Sequence, residues 1–150
     1  MMYSIRPATQ LDAAAWLRLR HALWPESSES ELRAEIDEFF AGWALEPIAV
    51  LLAEDDAGVA VGMAELSIRS IVEGCSSGRV AYLEGWYVVP EARRRGVGRA
   101  LVAAAEAWGR AQGCTEFGSD TQLDNLDSVA AHRALGFTEV EQIRCFRKVL

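Results

Sequence analysis

The sequence predicts one domain, residues 1–150, with a mixed α/β fold. Its 150 residues match the usual length of a single domain, and 51% of them are hydrophobic, which is enough for a real core. Apolar segments suited to strands and segments with helical spacing follow one another in the order β-α-α-β-β-β-α-β-α-β. Two late strand-helix units come after three consecutive strands, a pattern typical of a mixed sheet flanked by helices.

The first third of the chain predicts a short strand and two helices. The strand covers residues 3–6. The first helix is predicted for residues 9–24, because Thr9 can cap it and Pro25 stops it. Its expected inner stripe is Leu11, Ala15, Leu19 and Leu23. The second helix is predicted for residues 28–42. Its expected inner face consists of Leu32, Ile36, Phe39 and Phe40.

The rest of the chain predicts five strands and two helices. Residues 55–58 form a turn that joins the first two of these strands into a hairpin. Gly113 and Gly136 end the two helices. The strands are predicted at residues 48–53, 59–70, 80–89, 115–119 and 137–149, the helices at residues 96–112 and 125–135, and a loop at residues 71–78.

The negative charge of the chain is concentrated in its N-terminal part. The formal net charge is −7, and residues 1–60 carry 11 acidic and 4 basic side chains, so they account for the whole excess. A nucleic-acid-binding face needs net positive charge, and the sequence therefore argues against nucleic acid as a partner. A cationic partner fits this distribution, and so does the alternative that acidic helices only keep the protein in solution.

Neither a membrane span nor a metal site is expected. No apolar run approaches the roughly 20 residues that a span needs. The N-terminal residues lack the apolar region of a signal peptide, so a cytoplasmic location is expected. The three cysteines lie far apart, form no CxxC pair, and together with two histidines do not predict a zinc site. Free thiols are the expected state of Cys75, Cys114 and Cys145.

A basic, glycine-containing turn joins the predicted strand at 80–89 to the helix that follows. We call residues 93–98, RRRGVG, the arginine-glycine turn. The first amides of a helix have no internal partner, and the helix dipole adds positive charge there. Glycine lets the backbone approach a ligand closely, and arginine adds full charges. The turn therefore predicts a phosphate or pyrophosphate site, although its spacing matches neither GxxxxGK[ST] nor the dinucleotide GxGxxG.

This turn resembles the coenzyme motif of the GNAT family of acyl-coenzyme A-dependent N-acetyltransferases. In that family a strand ending in V-x-P precedes R/Q-x-x-G-x-G/A, and an N-x-x-A/S and an L-G-F follow. This chain has VVP at 88–90, RRRGVG at 93–98, NLDS at 125–128 and LGF at 135–137. The resemblance implies a centrally splayed sheet, with the cosubstrate acetyl-coenzyme A in its gap. The implied coenzyme-binding residues are Val88, Arg93, Arg94, Arg95, Gly96, Val97, Gly98, Arg99 and Asn125.

Five separated segments resemble one branch of that family, the aminoglycoside 6′-N-acetyltransferases. They are LWPESSE, SIRSIVEGCSS, VAYLEGWYVVPE, GCTEFGSDT and HRALGFTEVEQIRCFRK. The resemblance implies acetyl transfer to the 6′-amine of an aminoglycoside by direct attack in a ternary complex, an antibiotic-resistance activity, and a homodimer. A polycationic sugar needs separated carboxylates and aromatic walls. The candidate substrate-binding residues are Trp24, Glu73, Glu84, Asp120 and Glu141.

Three candidate catalytic groups follow from this chemistry. Glu84 is expected to remove a proton from the ammonium group, through a water molecule. The resemblance places the N–H that stabilises the carbonyl oxygen at Val88. Where many GNAT proteins have a tyrosine that protonates the leaving thiolate, this chain has His132, which either takes that role or only packs in its helix.

Two alternatives stay open at this point. A GNAT enzyme that acetylates a polyamine or a peptide N-terminus would also meet a cationic substrate. A module that binds coenzyme A without catalysis would use its acidic helix for a protein contact. Turnover of an amine would exclude the second alternative, and a panel of substrates would test the first.

Overall fold

Five strands form one sheet in the order β1-β2-β3-β4-β5 in the computed structural model of the chain, which describes residues 2–150. The strands are β1 Ser4–Pro7, β2 Ala49–Glu54, β3 Ala60–Arg69, β4 Val80–Val88 and β5 Phe117–Ser119. The helices are α1 Ala13–Leu23, α2 Glu29–Ala41, α3 Val97–Ala111 and α4 Leu126–Ala134, with 3-10 turns at Gln10–Asp12 and Pro90–Ala92. Strands β1 to β4 are antiparallel, and α3 leads to a parallel β5. The predicted mixed α/β fold is confirmed.

Helices cover both faces of the sheet with separate apolar clusters. On the face that we call the α3 face, the buried side chains include Leu66, Leu83, Val97, Leu101 and Ala105. On the opposite face, the α1 face, they include Trp16, Leu19, Ile36, Leu52 and Met63. Phe39 and Phe40 of α2 meet Trp16 edge-on, with ring centroids 5.2 and 5.7 Å away. No helix among the described residues is both long and apolar enough to cross a bilayer.

The predicted inner stripe of the first helix is wrong at its start. Leu11 is 97% exposed, whereas Trp16 and Leu19 are buried. Residues 10–12 form a 3-10 turn closed by a capping box between Thr9 and Asp12, and the α-helix begins only at Ala13. A 3-10 turn has three residues per turn instead of 3.6, so Leu11 falls out of phase with the later apolar positions.

The predicted C-terminal strand at residues 137–149 is also wrong for the single chain. Residues 137–150, here called the C-terminal segment, contain no strand. An extended segment becomes a strand only when a neighbour takes up its backbone hydrogen bonds, and the sheet ends at β5. Val140 lies against Gly74 of the 71–78 loop. The exposed apolar side chains of the segment are Val140, Ile143, Phe146, Val149 and Leu150.

Candidate functional site

Glu84 lies at a bulge in β4. Glu65 of β3 faces Gly85 of β4, and the next β3 residue, Leu66, faces Leu83, so Glu84 is an extra residue without a cross-strand partner. Such a bulge bends the strand and re-aims a side chain. Glu84 shares the α1 face with Tyr82 by ordinary strand alternation, and its carboxylate accepts hydrogen bonds there from Ser67 and Arg69. The bulge turns Gly85 to the same face, against Trp24.

The sheet opens between β4 and β5, as predicted. Only residues 81–83 of β4 pair with β5, which ends at Ser119, while β4 continues to Val88. The N–H of Val89 donates to the Val61 carbonyl at 2.8 Å. Because successive N–H groups of a strand alternate in direction, the N–H of Val88 points away from β3, into the gap. The gap therefore exposes unpaired backbone groups of β4.

The arginine-glycine turn leads into α3 through two left-handed residues. Arg94 has φ +60° and Gly96 has φ +84°, which a side chain disfavours. No side chain caps α3, and the first helical bond runs from the Ala100 N–H to the Gly96 carbonyl. The amides of residues 97–99 thus lack helical partners. The Arg93 guanidinium donates to the Val88 carbonyl at 2.8 Å, and it ties the turn to the end of β4.

Trp86 lies directly beneath the start of α3. A Cβ atom at Gly98 would sit 3.1 Å from the Trp86 ring, so glycine permits this close approach. The indole N–H of Trp86 is buried and has no hydrogen-bond partner among the described residues. A buried donor without an acceptor is costly. A bound group that brings a carbonyl or phosphate oxygen to this donor would relieve that cost.

A continuous polar network lies on the α1 face of the gap. The Arg69 guanidinium makes two hydrogen bonds to Glu84, at 2.9 and 2.7 Å, and approaches Glu46 at 3.6 Å. It also stacks on the Tyr82 ring, 3.8 Å from the centroid. The Tyr82 hydroxyl donates to Asp120, which follows β5. Arg69 and Tyr82 therefore connect the carboxylates of Glu84 and Asp120 across the gap.

The pKa values in this network differ in direction. Burial acts to raise the pKa of Glu84, but hydrogen bonds from Arg69 and Ser67 outweigh it and hold the pKa below its ordinary value. The neighbouring Glu84 carboxylate, followed by burial, raises the pKa of Glu46. Burial and the bond to Asp120 raise the pKa of Tyr82. The Glu84 carboxyl therefore loses its proton at a lower pH than the Glu46 carboxyl.

A cavity of about 310 Å³ opens beside this network. It is lined by Arg20, Trp24, Glu35, Glu46, Pro47, Glu65 and Glu84. A Cβ atom at Gly85 would approach the Trp24 ring to 2.8 Å, so Trp24 forms a wall directly against β4. The lining contains four carboxylates and one guanidinium, and this excess of negative charge favours a cationic ligand.

Residues 16–137 match the acetyltransferase (GNAT) family. The chain belongs to the GNAT family. An aminoglycoside N(6′)-acetyltransferase type 1 from Klebsiella aerogenes is 58% identical to this GNAT chain over 146 residues, which are 97% of this chain and 96% of the relative. A protein of the same name from Stenotrophomonas maltophilia is 44% identical over 98% of this chain and 94% of its own. A solved structure of AAC(6′)-Iy with the bisubstrate analogue CoA-S-monomethyl-acetylneamine superposes with a TM-score of 0.92 at 38% identity, and covers 100% of both chains.

The structure places four of the predicted GNAT site residues around one gap. Trp24, Glu84 and Asp120 lie on its α1 face, and Val88 points its N–H into it. The side chain of Asn125 caps α4 by accepting from the Ser128 N–H at 3.1 Å, which leaves its amide hydrogens available. Three substrate-binding candidates lie outside the cavity lining: Asp120, which reaches the network only through Tyr82, Glu73, exposed in the 71–78 loop, and Glu141, exposed in the C-terminal segment.

Sequence reasoning missed several polar residues that line the cavity or belong to the hydrogen-bond networks beside it. They are Arg20, Glu35, Glu46, Glu65, Ser67, Arg69, Tyr82 and Ser119. A signal existed for β3, because Glu65, Ser67 and Arg69 alternate within an otherwise apolar strand and so share one face. No comparable signal marks Glu46, which lies in the loop before β2. Within residues 2–150, no group of three or more His, Cys, Asp or Glu side chains is arranged to hold a metal ion.

Proposed function

We propose that this GNAT enzyme transfers an acetyl group from acetyl-coenzyme A to the 6′-amine of an aminoglycoside, with antibiotic resistance as the consequence. The observation that carries the proposal is the ionised Glu84 on the anionic face of the open gap, in a chain 58% identical to an aminoglycoside N(6′)-acetyltransferase. An aminoglycoside carries several ammonium groups on a sugar scaffold. Carboxylates at separated positions beside the Trp24 wall match that chemistry.

The residues around the start of α3 fit a pyrophosphate and a pantetheine arm. The free amides of residues 97–99 and the exposed guanidinium groups of the turn suit the pyrophosphate, with Arg99 following in the first helical turn. The unpaired Trp86 N–H and the side-chain amide of Asn125 suit oxygen acceptors of the arm. When bound, acetyl-coenzyme A would supply a thioester carbonyl to the gap.

The protein groups on the two sides of the gap have different roles in the reaction. Glu84 attracts the ammonium group and, through a water molecule, accepts the proton that the amine must lose. Its low pKa makes it a weak base and a good counter-ion, which favours the water-mediated path. The Val88 N–H donates to the carbonyl oxygen as negative charge develops there. Asp120 and Trp24 hold other parts of the sugar, and Glu73 and Glu141 contribute further negative charge.

The experiment that tests the acceptor compares two aminoglycosides that differ only at the 6′ position. The compound with a 6′-amine is expected to release free coenzyme A thiol with acetyl-coenzyme A, and the matched 6′-hydroxyl compound is not. Equal turnover of both would contradict 6′ transfer. Turnover of a polyamine or a peptide N-terminus, with neither aminoglycoside accepted, would favour the alternative acceptors.

Gly96→Val is expected to weaken coenzyme A binding about 10²-fold, measured by calorimetry. The left-handed backbone of Gly96 opposes a β-branched residue by about 1–2 kcal/mol, and the shifted turn misaligns the amides that follow. Gly42→Val is the matched control, because Gly42 has φ +79° at the end of α2, which packs on the α1 face of the sheet. Unchanged binding by the Gly96 variant would exclude the turn as the pyrophosphate site.

A cytoplasmic location is part of the proposal and fits the three free cysteines.

The proposal also includes a homodimer that forms through the C-terminal segment. Support for the dimer comes from the exposed apolar side chains of the segment and from the edge position of β5. Ile143→Asp is expected to convert the dimer to a monomer in sedimentation velocity, because a buried charge opposes association. Exposed Val59→Asp on the loop before β3 is the control. A wild-type monomer would contradict the proposal.

A further inference from the structure

Both ring nitrogens of His132 are engaged within the protein. Nδ1 lies 2.7 Å from the backbone carbonyl of Ser128, which can only accept, so Nδ1 carries a hydrogen and donates. Nε2 lies 2.7 Å from the hydroxyl of Ser119. The ring is also held edge-on by Trp86 and Phe137, with centroids at 5.4 and 5.1 Å. His132 therefore has no free nitrogen to present to a ligand in the gap.

Ser119, and not His132, lies at the gap between β4 and β5. It is the last residue of β5, where the pairing with β4 stops, and it is only partly buried. Residues of a strand alternate between faces. Phe117 belongs to the cluster on the α3 face, so Ser119 shares that face, while Asp120 turns to Tyr82 on the α1 face. The end of β5 thus places the Ser119 hydroxyl on the α3 face of the gap and the Asp120 carboxylate on its α1 face.

The two faces match the two halves of the proposed reaction. The carboxylates that attract the amine lie on the α1 face. The free amides of α3, the Trp86 N–H and Ser119 lie on the other face, where the coenzyme is proposed to bind. A group that protonates the leaving sulfur must lie on the coenzyme side. Ser119 places a hydroxyl at the gap on that side.

We propose that Ser119 is the catalytic proton donor to the departing thiolate, and that His132 is the positioning residue that recharges it; this inference rests on the proposed acetyl transfer. An imidazole can carry a hydrogen on each of its two nitrogens. In the imidazolium form, Nδ1–H donates to the Ser128 carbonyl and Nε2–H to the Ser119 oxygen. The hydroxyl hydrogen of Ser119 is then free to point into the gap.

Every proton and electron pair in the proposed step has a stated donor and acceptor. As the amine nitrogen forms its bond to the acetyl carbon, the carbon–sulfur bond breaks and its electron pair stays on sulfur. Sulfur takes the hydroxyl proton of Ser119, and the Ser119 oxygen takes the proton of Nε2. His132 is left neutral and regains one proton from water before the next turnover. The proton lost by the amine leaves through Glu84 on the opposite face.

The test measures the titration of the thiol of coenzyme A bound to the enzyme, by ultraviolet absorbance of the thiolate. Coenzyme A alone is the probe, so the result does not depend on which acceptor amine is used. Ser119→Ala is expected to raise the pKa of the bound thiol by about one unit, because a hydrogen bond to the thiolate is lost. Ser119→Thr keeps the hydroxyl and is expected to match the wild type. Ser4→Ala, an exposed serine of β1, is the control for a remote serine.

Turnover and binding complete the test. In Ser119→Ala, kcat is expected to fall about 10²-fold, the range of general acid catalysis, while the Kd for coenzyme A at low pH stays within about twofold. His132→Gln is expected to lower kcat to the same extent as Ser119→Ala. A Ser119→Ala enzyme with wild-type thiol titration and wild-type kcat would overturn the inference. If the thiol shift is present but no aminoglycoside is acetylated, the inference stands and the proposed acceptor falls.

Discussion

Glu84→Gln is expected to lower kcat for acetyl transfer about 10²–10⁴-fold, the range assigned to general base catalysis. The substitution removes the negative charge of Glu84 on the α1 face and leaves Arg69 without its main partner. Steady-state kinetics with free-thiol detection measure the effect. The Kd for coenzyme A, measured by calorimetry, is expected to stay unchanged, because the start of α3 lies on the other face of the sheet.

Glu91→Gln is the matched control for this variant. Glu91 is exposed in the turn that follows β4, and no hydrogen bond or ion pair of its side chain is found among the described residues. Its kcat is expected to remain within about twofold of wild type, as for a surface substitution. If Glu84→Gln retained the wild-type kcat, Glu84 would be neither base nor counter-ion, and a different carboxylate of the cavity would have to act.

Arg20→Met is expected to have the largest effect on stability, a loss of about 3–5 kcal/mol in the free energy of unfolding. Arg20 and Glu65 are buried, and the guanidinium lies 2.8 Å from the Glu65 carboxylate and 2.7 Å from Glu35. The Trp16 indole N–H also donates to Glu65 at 2.8 Å. Removing the cation leaves a buried carboxylate without its counter-charge. Urea unfolding followed by circular dichroism measures the loss.

Arg33→Met is the control for the loss of a paired arginine. Arg33 forms an exposed pair with Asp37 at 3.4 Å on the surface of α2. Exposed pairs contribute little, and the expected loss is below about 0.5 kcal/mol. Equal losses in the free energy of unfolding for the two variants would show that burial does not increase the contribution of the Arg20–Glu65 pair to stability. The double variant Arg20→Met with Glu65→Met removes both buried charges, and it is expected to be more stable than Arg20→Met alone.

The unit around the arginine-glycine turn could be predicted because its signals are local. An apolar strand, a proline, a glycine that takes a left-handed backbone and an amphipathic helix follow one another within a few turns of chain. Helical spacing in the sequence puts Val97, Leu101, Ala105 and Trp108 on one side of this helix; the first three are buried, and Trp108 is partly buried against the same cluster. The first helix was less predictable, since the 3-10 turn before Ala13 shifted the phase of Leu11.

Local signals pointed to single members of the polar network and not to the contacts between them. Whether Glu84 faces solvent or the cavity depends on the register between β3 and β4, which shifts at the bulge. Arg69, Glu46 and Asp120 come from different strands and loops, and they meet only once the sheet has formed. The same holds for Ser119 and His132, whose contact requires α4 to pack beside the end of β5.

The sequence by itself determined the order of strands and helices as far as α4, the glycine turn before α3 and the motifs of the GNAT family. These follow from spacing, glycine and charge over short distances along the chain. Only the tertiary structure decided which side chains share a face of the gap, that Arg69 ties Glu84 to its neighbours, and that the C-terminal segment finds no strand partner in its own chain. Such contacts depend on cross-strand register and packing between residues far apart in sequence, which no local pattern encodes.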